Sequence, residues 1–259
     1  MKRTWKAALA LAMVVSVAVV SGCSAGTTSA GDAKKLVFAN SGAYKPFSFD
    51  KSGEIVGFDV DIANEIATRL DREPVMQSPV PFDALIQGLK AGKYDVLVAS
   101  HGITAERKKQ VDFSRPYYRS GAQTFIGEDE TSIESPTDLK GKKIGVVKAS
   151  TYLKLANTLT DPDKVTTYDS DVIALKDLQT GRIDAVVTDK LVGYIAAKES
   201  GLKIRTVGEV LQSDEMGIVV DKGDTELLAS INKALEDMIA DGTLRRISMR
   251  WFDEDILGE

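Results

Sequence analysis

Thr104 and Arg107 are the residues in this chain whose types and spacing could do the most specific chemistry. A threonine three residues ahead of an arginine can cap a short helix whose first N–H groups have no internal partners. The arginine can then aim a planar fork of donors at an anion held there. The fitting guest is a small carboxylate. On spacing alone, the pair reads first as a surface cap with a solvated arginine. Ser150-Thr151 opens a second helical pattern, and Asp189 stands between a strand-like run and Lys190-Leu191. There it fits a helix cap as readily as an acceptor for a cation.

Alternating strand and helix patterns must position these residues. Apolar runs read as strands over Leu36–Ala39, Asp95–Ala99, Lys143–Lys148 and Ile183–Thr188. Helical periodicity covers Asp59–Leu70, with Ala63, Ile66, Ala67 and Leu70 along one face, and also Phe82–Lys90, Tyr152–Leu159 and Val172–Gln179. Short βα units of this kind predict an open α/β sheet with ligands beyond the carboxyl ends of its strands. Leu89–Ser100 aligns without a gap to Leu178–Asp189, each a helix end, a Gly stop, a basic residue and a strand. Any helix-Gly-strand junction has that form, yet the echo also fits two similar lobes whose strands end, at Ser100 and Asp189, on one shared cleft. Arg119–Ile126 and Met216–Val220 are then the expected crossings. The Asp224–Ala240 helix, with Leu227, Leu228, Ile231, Leu235, Met238 and Ile239 inward, returns to the first lobe.

The amino terminus carries Lys2, Arg3 and Lys6, then an apolar run from Ala7 to Val20, then small residues before Cys23, the chain's only cysteine. This is the pattern of an export signal, too short to span a bilayer. Ser24–Lys35 is small and polar and reads as a flexible tether. The remainder is long enough for two ordinary domains, and a 43% apolar content suffices for a sizeable core. Of 33 basic and 38 acidic residues, removing Lys2, Arg3 and Lys6 with the signal leaves 30 against 38, a formal −8. That balance argues against nucleic acid as a partner. With one histidine and one cysteine, soft ligands for a transition metal are too few. No cofactor motif is present, and carboxylate-only calcium sites stay open.

The string Ile103-Thr104-Ala105-Glu106-Arg107-Lys108-Lys109-Gln110-Val111-Asp112-Phe113-Ser114-Arg115-Pro116-Tyr117-Tyr118 resembles the signature of extracellular solute-binding proteins of family 3, the polar amino-acid-binding lipoproteins of ABC transporters. Further landmarks follow in order: Gly42–Phe49, Gly57-Phe58-Asp59-Val60-Asp61, Gly181-Arg182-Ile183-Asp184-Ala185, Gly242-Thr243-Leu244 and Trp251-Phe252. The resemblance spans Leu36 to Phe252. It implies the two-lobed periplasmic-binding-protein fold (type II), with residues 36–121 and 219–259 in one lobe, 122–218 in the other, and hinge strands at both ends of the latter.

Carried over residue by residue, the resemblance implies that Arg107, the N–H groups near Thr104 and the Ser150-Thr151 pair share the ligand's α-carboxylate. Asp189 and the Ser100 carbonyl take its ammonium, while Tyr44 and Phe82 flank its side chain. By periodicity Phe82 also fits an ordinary core aromatic, and His101 alternates away from Ser100 and is expected to point out of the cleft. Relatives specific for basic amino acids carry an acid where Ser41 stands, and many members have Ser or Thr where Gly102 stands. An unpartnered buried cation is costly, so a neutral polar ligand is expected, glutamine or cystine first, unless an acid such as Asp50 or Glu54 enters the pocket. The small residues before Cys23 likewise resemble a lipoprotein signal over residues 1–22, with Cys23 carrying palmitate and the tether running over 23–35. The expected partners are an L-amino acid, an ABC permease and the membrane, with the protein a monomer at the extracytoplasmic face of the cell envelope. Two alternatives are a signalling receptor, expected to carry a fused membrane or signalling segment beyond Phe252, and an exported enzyme resembling cyclohexadienyl dehydratase. No nucleophile stands beside a base, and no second acid is evident opposite Asp189, so no catalytic residue is expected.

Overall fold

The apolar runs expected as strands share one sheet. The computed structural model describes residues 34–257; the expected signal peptide, Cys23 and most of the expected tether fall outside them. The strands are β1 (Lys35–Ala39), β2 (Ala43–Tyr44), β3 (Ser48–Lys51), β4 (Glu54–Val56), β5 (Glu73–Gln77), β6 (Val96–Gly102), β7 (Val111–Gly127), β8 (Ile144–Val147), β9 (Val165–Tyr168), β10 (Ala185–Asp189) and β11 (Ile204–Asp221). The helices are α1 (Phe58–Arg69), α2 (Leu85–Lys90), α3 (Ala105–Lys108), α4 (Thr151–Leu159), α5 (Asp171–Gln179), α6 (Lys190–Ser200), α7 (Thr225–Ala240) and α8 (Thr243–Phe252). The expected helix from Phe82 starts as a 3₁₀ turn over Phe82–Ala84 and becomes α-helical at Leu85.

Eight strands run in the order β5-β1-β6-β11-β7-β10-β8-β9, and β2-β3-β4 form a small separate sheet. The outer strands are parallel in both halves, while β11 and β7 lie antiparallel in the middle. Every residue of β6 is buried, which accounts for its continuous apolar run. In the first half, α1 and α7 lay their apolar stripes on the sheet, burying Ile62, Ile66, Ile231 and Leu235 with Phe38 and Ile218. Each such side chain contributes about 1.5–3 kcal/mol. In the second half, Ile144, Val146, Ala156, Ala185 and Val187 form a separate core. The start of α1 depends on Gly57 at φ 143°, where a Cβ would stand 2.1 Å from the Phe47 carbonyl oxygen.

β7 and β11 join the halves as a pair of long strands. Ala122–Ile126 pairs with β10, whereas Met216–Val220 pairs with β6. The second crossing therefore lies just before Met216, because that residue and its successors already belong to the first half-sheet. Between the halves, Ser120 and Gly121 face Asp214 and Ser213, and the register shifts between Val207 and Gln212. A Cβ on Gly121 would come within 2.5 Å of the Gln212 carbonyl oxygen, so the two crossing backbones need glycine there.

Candidate functional site

A cavity lies at the carboxyl ends of β6 and β8. The first half supplies Ser41, Tyr44, Phe82, Ser100, Gly102 and Arg107, and the second supplies Val147, Ser150, Thr151, Tyr152, Asp169 and Asp171. The echo in the sequence has a structural counterpart, since Ser100 lies near the end of β6 and Asp189 ends β10.

Thr104 is the N-cap of α3, and its hydroxyl oxygen accepts the Arg107 backbone N–H at 3.1 Å. It does not line the cavity but fixes the turn that carries Arg107. The guanidinium donates to the Gly102 carbonyl at 3.0 Å and, across the cleft, to the Ala149 carbonyl at 3.0 Å. Burial depresses its pKa, so the cation stands in surroundings that only partly compensate it. A second cross-cleft tie is the ion pair of Lys45 with Glu199. Opposite Arg107, the Ser150 hydroxyl donates to the Val147 carbonyl at 2.8 Å, and no side chain caps α4. The first N–H groups of α4 therefore remain available to an anion. A Cβ on Gly102 would meet the Thr151 methyl at 3.2 Å, so a Ser or Thr there would press on the second lobe.

Ser100 has φ 53°, a costly conformation for a residue other than glycine. Its N–H donates to the Tyr117 hydroxyl at 3.0 Å, its own hydroxyl donates to Asp59 at 2.9 Å, and Tyr117 donates to Asp59 at 2.7 Å. Burial pushes the Asp59 carboxyl up to about 7, against the lowering effect of those two hydroxyls. With the hydroxyl committed inward, Ser100 has its backbone to offer a ligand. The Tyr44 ring stacks on Phe47 at 5.1 Å, and Phe82 stacks on His101 at 4.7 Å with the Arg107 guanidinium 5.8 Å from its centroid. His101 is buried outside the cavity lining, and burial together with the Arg107 charge lowers its pKa.

Asp189, like Thr104, stands back from the cavity. It is fully buried and is not among the lining residues. One oxygen accepts the Ser120 hydroxyl and the Leu191 N–H, both at 2.8 Å, and the other accepts the Tyr152 hydroxyl at 3.4 Å. Its sequence reading as a helix cap is realised at the start of α6. Burial raises its carboxyl to about 6, and Asp171 nearby adds to the rise. Asp50 and Glu54 are exposed on the β3–β4 hairpin and do not reach the cavity. The acids that do reach it, Asp169 and Asp171, were not singled out by sequence. Asp171 precedes an apolar helix face, where an acid is ordinary N-terminal chemistry. Among the described residues, no cluster of His, Cys, Asp and Glu could hold a metal ion, and no helix is long and apolar enough to cross a membrane.

The fold and the cleft define a two-lobed α/β ligand-binding protein, closed over a cavity with a cation on one side and carboxylates on the other. Residues 36–254 match the model of the bacterial extracellular solute-binding proteins, family 3, and the chain belongs to that family. It is similar to the L-cystine-binding protein TcyJ of Escherichia coli (strain K12), at 34% identity covering 96% of this chain and 94% of the relative. An ancestral arginine-binding protein bound to glutamine superposes with a TM-score of 0.80 at 41% identity, over 85% of this chain and 98% of that one. An ancestral amino acid-binding protein, described as a precursor of cyclohexadienyl dehydratase, gives 0.78 at 34% identity, over 84% and 95%.

Proposed function

We propose that this protein is the substrate-binding component of an ABC importer that captures an L-amino acid by closure of its two lobes. The observation that carries the reading is the division of charge across the cavity, with Arg107 on one lobe and buried carboxylates on the other. The ligand carboxylate meets Arg107, the turn capped by Thr104 and the open start of α4 at Ser150 and Thr151. Its ammonium faces the acidic end, where Asp189 lies behind the Tyr152 hydroxyl, with the Ser100 backbone as a further acceptor. Tyr44 and Phe82 flank the side chain, and Gly102 leaves it room. The lobes are residues 36–121 with 216–259, and 122–215, turning about the two crossings. A zwitterion satisfies both sides only when they meet, so it binds the closed state more tightly and shifts the population toward it. A membrane permease then reads the closed shape.

A neutral polar side chain fits best, because Ser41 brings no acid to the first lobe's side of the cavity. Of the acids on the second lobe's side, Asp169 is already paired with Lys148 and Asp171 stands at the end that faces the ammonium. The cystine named for one relative and the glutamine in one related structure are in keeping with this. Cys23 carries the lipid anchor, palmitate included, after removal of residues 1–22, and the monomer works at the extracytoplasmic face of the membrane. No enzymatic turnover is expected, since the Ser150 hydroxyl is turned to a backbone carbonyl and no base adjoins it. A thermal-shift screen of the common amino acids and cystine tests the reading. A ligand at 100 times its Kd raises stability by about 2.7 kcal/mol, and no shift with any of them would remove it.

A further inference from the structure

β6 does not run straight into the cleft. It pairs Leu97 with Val219 and His101 with Gly217 of β11, so Val98, Ala99 and Ser100 stand opposite Ile218 alone. A strand with extra residues bulges, and here the bulge holds Ser100 in the left-handed region at φ 53°. A serine keeps that conformation only where its surroundings hold it there. The bulge is also the part of β6 that a ligand meets. Ala99, Ser100 and Gly102 line the cavity, and the Gly102 carbonyl accepts the Arg107 guanidinium.

The support is a ring of three groups behind the cavity wall. Asp59, in the first turn of α1, is fully buried. One of its oxygens accepts the Tyr117 hydroxyl at 2.7 Å and the other accepts the Ser100 hydroxyl at 2.9 Å, while the Tyr117 oxygen accepts the Ser100 N–H at 3.0 Å. Asp59 thus fixes Ser100 from two sides, once directly and once through Tyr117. Neither Asp59 nor Tyr117 lines the cavity, so neither touches a ligand there. Burial pushes the Asp59 carboxyl up to about 7, against the two hydroxyls that lower it. The Tyr117 and Tyr118 hydroxyls of β7 feel its charge and stay neutral, because burial raises both. Asp61, the next acid of α1, is taken by Arg250 and Trp251 of α8. No charged group of α7, α8 or β3–β5 adds to the Asp59 shift.

We propose that Asp59 is a positioning residue for ligand capture, whose ionised carboxylate locks the Ser100 bulge of β6 in the binding geometry and whose protonation releases it. The inference rests on the amino-acid-binding reading and deepens it. The ring uses both carboxylate oxygens as acceptors. A proton on one of them turns that acceptor into a donor, so one hydroxyl loses its partner and Ser100 is held from one side only. The strain at Ser100 is then unsupported, and the Gly102 carbonyl that steadies Arg107 loses its fixed place. Affinity therefore rises as pH rises through about 7, where Asp59 gives up its proton.

The test compares the parent, Asp59→Asn, Ser100→Gly and the double variant in protein freed of ligand by unfolding and refolding, titrated with L-glutamine, L-cystine and L-arginine. For whichever amino acid binds the parent most tightly, Asp59→Asn is expected to weaken binding about tenfold at about pH 8, with the ligand-free melting temperature near that of the parent. Glycine adopts a positive φ without strain. In the Ser100→Gly background the same replacement should therefore weaken binding by less than about threefold, whatever Ser100→Gly does alone. A residue that merely stabilises α1 would give equal losses in both backgrounds. Asparagine resembles the protonated acid, with a donor in place of one acceptor. The ratio of parent to Asp59→Asn affinity should accordingly narrow toward one as pH falls from about 8 to about 6, the other acids being common to both proteins. If Asp59→Asn is insoluble, Tyr117→Phe removes one hydroxyl from the same carboxylate, and the rise of affinity with pH should move to higher pH. A loss below about threefold in Asp59→Asn, equal losses in both backgrounds, a ratio unchanged with pH, or an unmoved profile in Tyr117→Phe overturns the assignment. A parent that binds none of the amino acids removes the underlying reading as well, and so separates the two failures.

Discussion

Replacing Arg107 by alanine should abolish tight binding while leaving the fold almost untouched. The guanidinium makes two hydrogen bonds, both to backbone carbonyls and each 3.0 Å long, at Gly102 and across the cleft at Ala149. In the proposed liganded state it also faces the carboxylate. Removing one member of a desolvated charge pair costs about 2–5 kcal/mol, chiefly because the other charge is left buried and underpaired. At about 1.4 kcal/mol per factor of ten, affinity should fall by roughly 30-fold to a few thousand-fold. The ligand-free protein gives a different balance. Burial already depresses the Arg107 pKa, so deleting the cation relieves desolvation as it removes the two bonds. The net change should stay within about 1 kcal/mol, or roughly 2–4 °C in melting temperature for a domain of this size. Calorimetric titration of refolded protein measures the first quantity, and thermal unfolding without ligand the second. An Arg107→Ala variant that binds within about threefold of the parent would place the carboxylate elsewhere.

Three further outcomes follow from the same geometry. Asp171 and Asp189 both titrate near 6 in the folded chain, raised by burial above the ordinary carboxyl value of 3.8. The folded protein therefore holds protons that the unfolded chain has lost between those values, and this contribution to ligand-free stability disappears as pH rises through about 6. Ammonium binding needs the ionised carboxylates, so the ligand-induced melting shift should grow over the same interval; equal shifts on both sides of it would refute the acidic end. Closure predicts a smaller radius of gyration by solution scattering at saturating ligand, and an unchanged profile would indicate a rigid pocket. Cys23→Ala should abolish palmitate labelling in cells, and retained label would refute the anchor.

Much of this arrangement could be read from local pattern, because local chemistry determines it. The Thr104 cap and Arg107 lie within one turn, and the stripe of Ala63, Ile66 and Ala67 on α1 is buried as its spacing requires. The long strands β7 and β11 were marked only by short crossing segments. Their exposure changes along their length as they pass from one half-sheet to the other, so no single alternation runs through either. The same holds for the acids. Asp171 and Asp189 each stand where a helix begins, and their sequence surroundings do not distinguish a cap from a contact. The fold distinguishes them by carrying the start of α5 to the cavity while sealing the start of α6 behind Tyr152.

Calorimetry of the ligand-free, refolded protein against the common L-amino acids and cystine is the most direct test of amino-acid capture. The account predicts saturable binding at one site without chemical change in the ligand, tightest for a neutral polar amino acid. Absence of heat and of competition with every one of them would contradict it. Arginine or lysine binding about tenfold more tightly than every neutral amino acid would keep the capture but contradict the neutral pocket at Ser41.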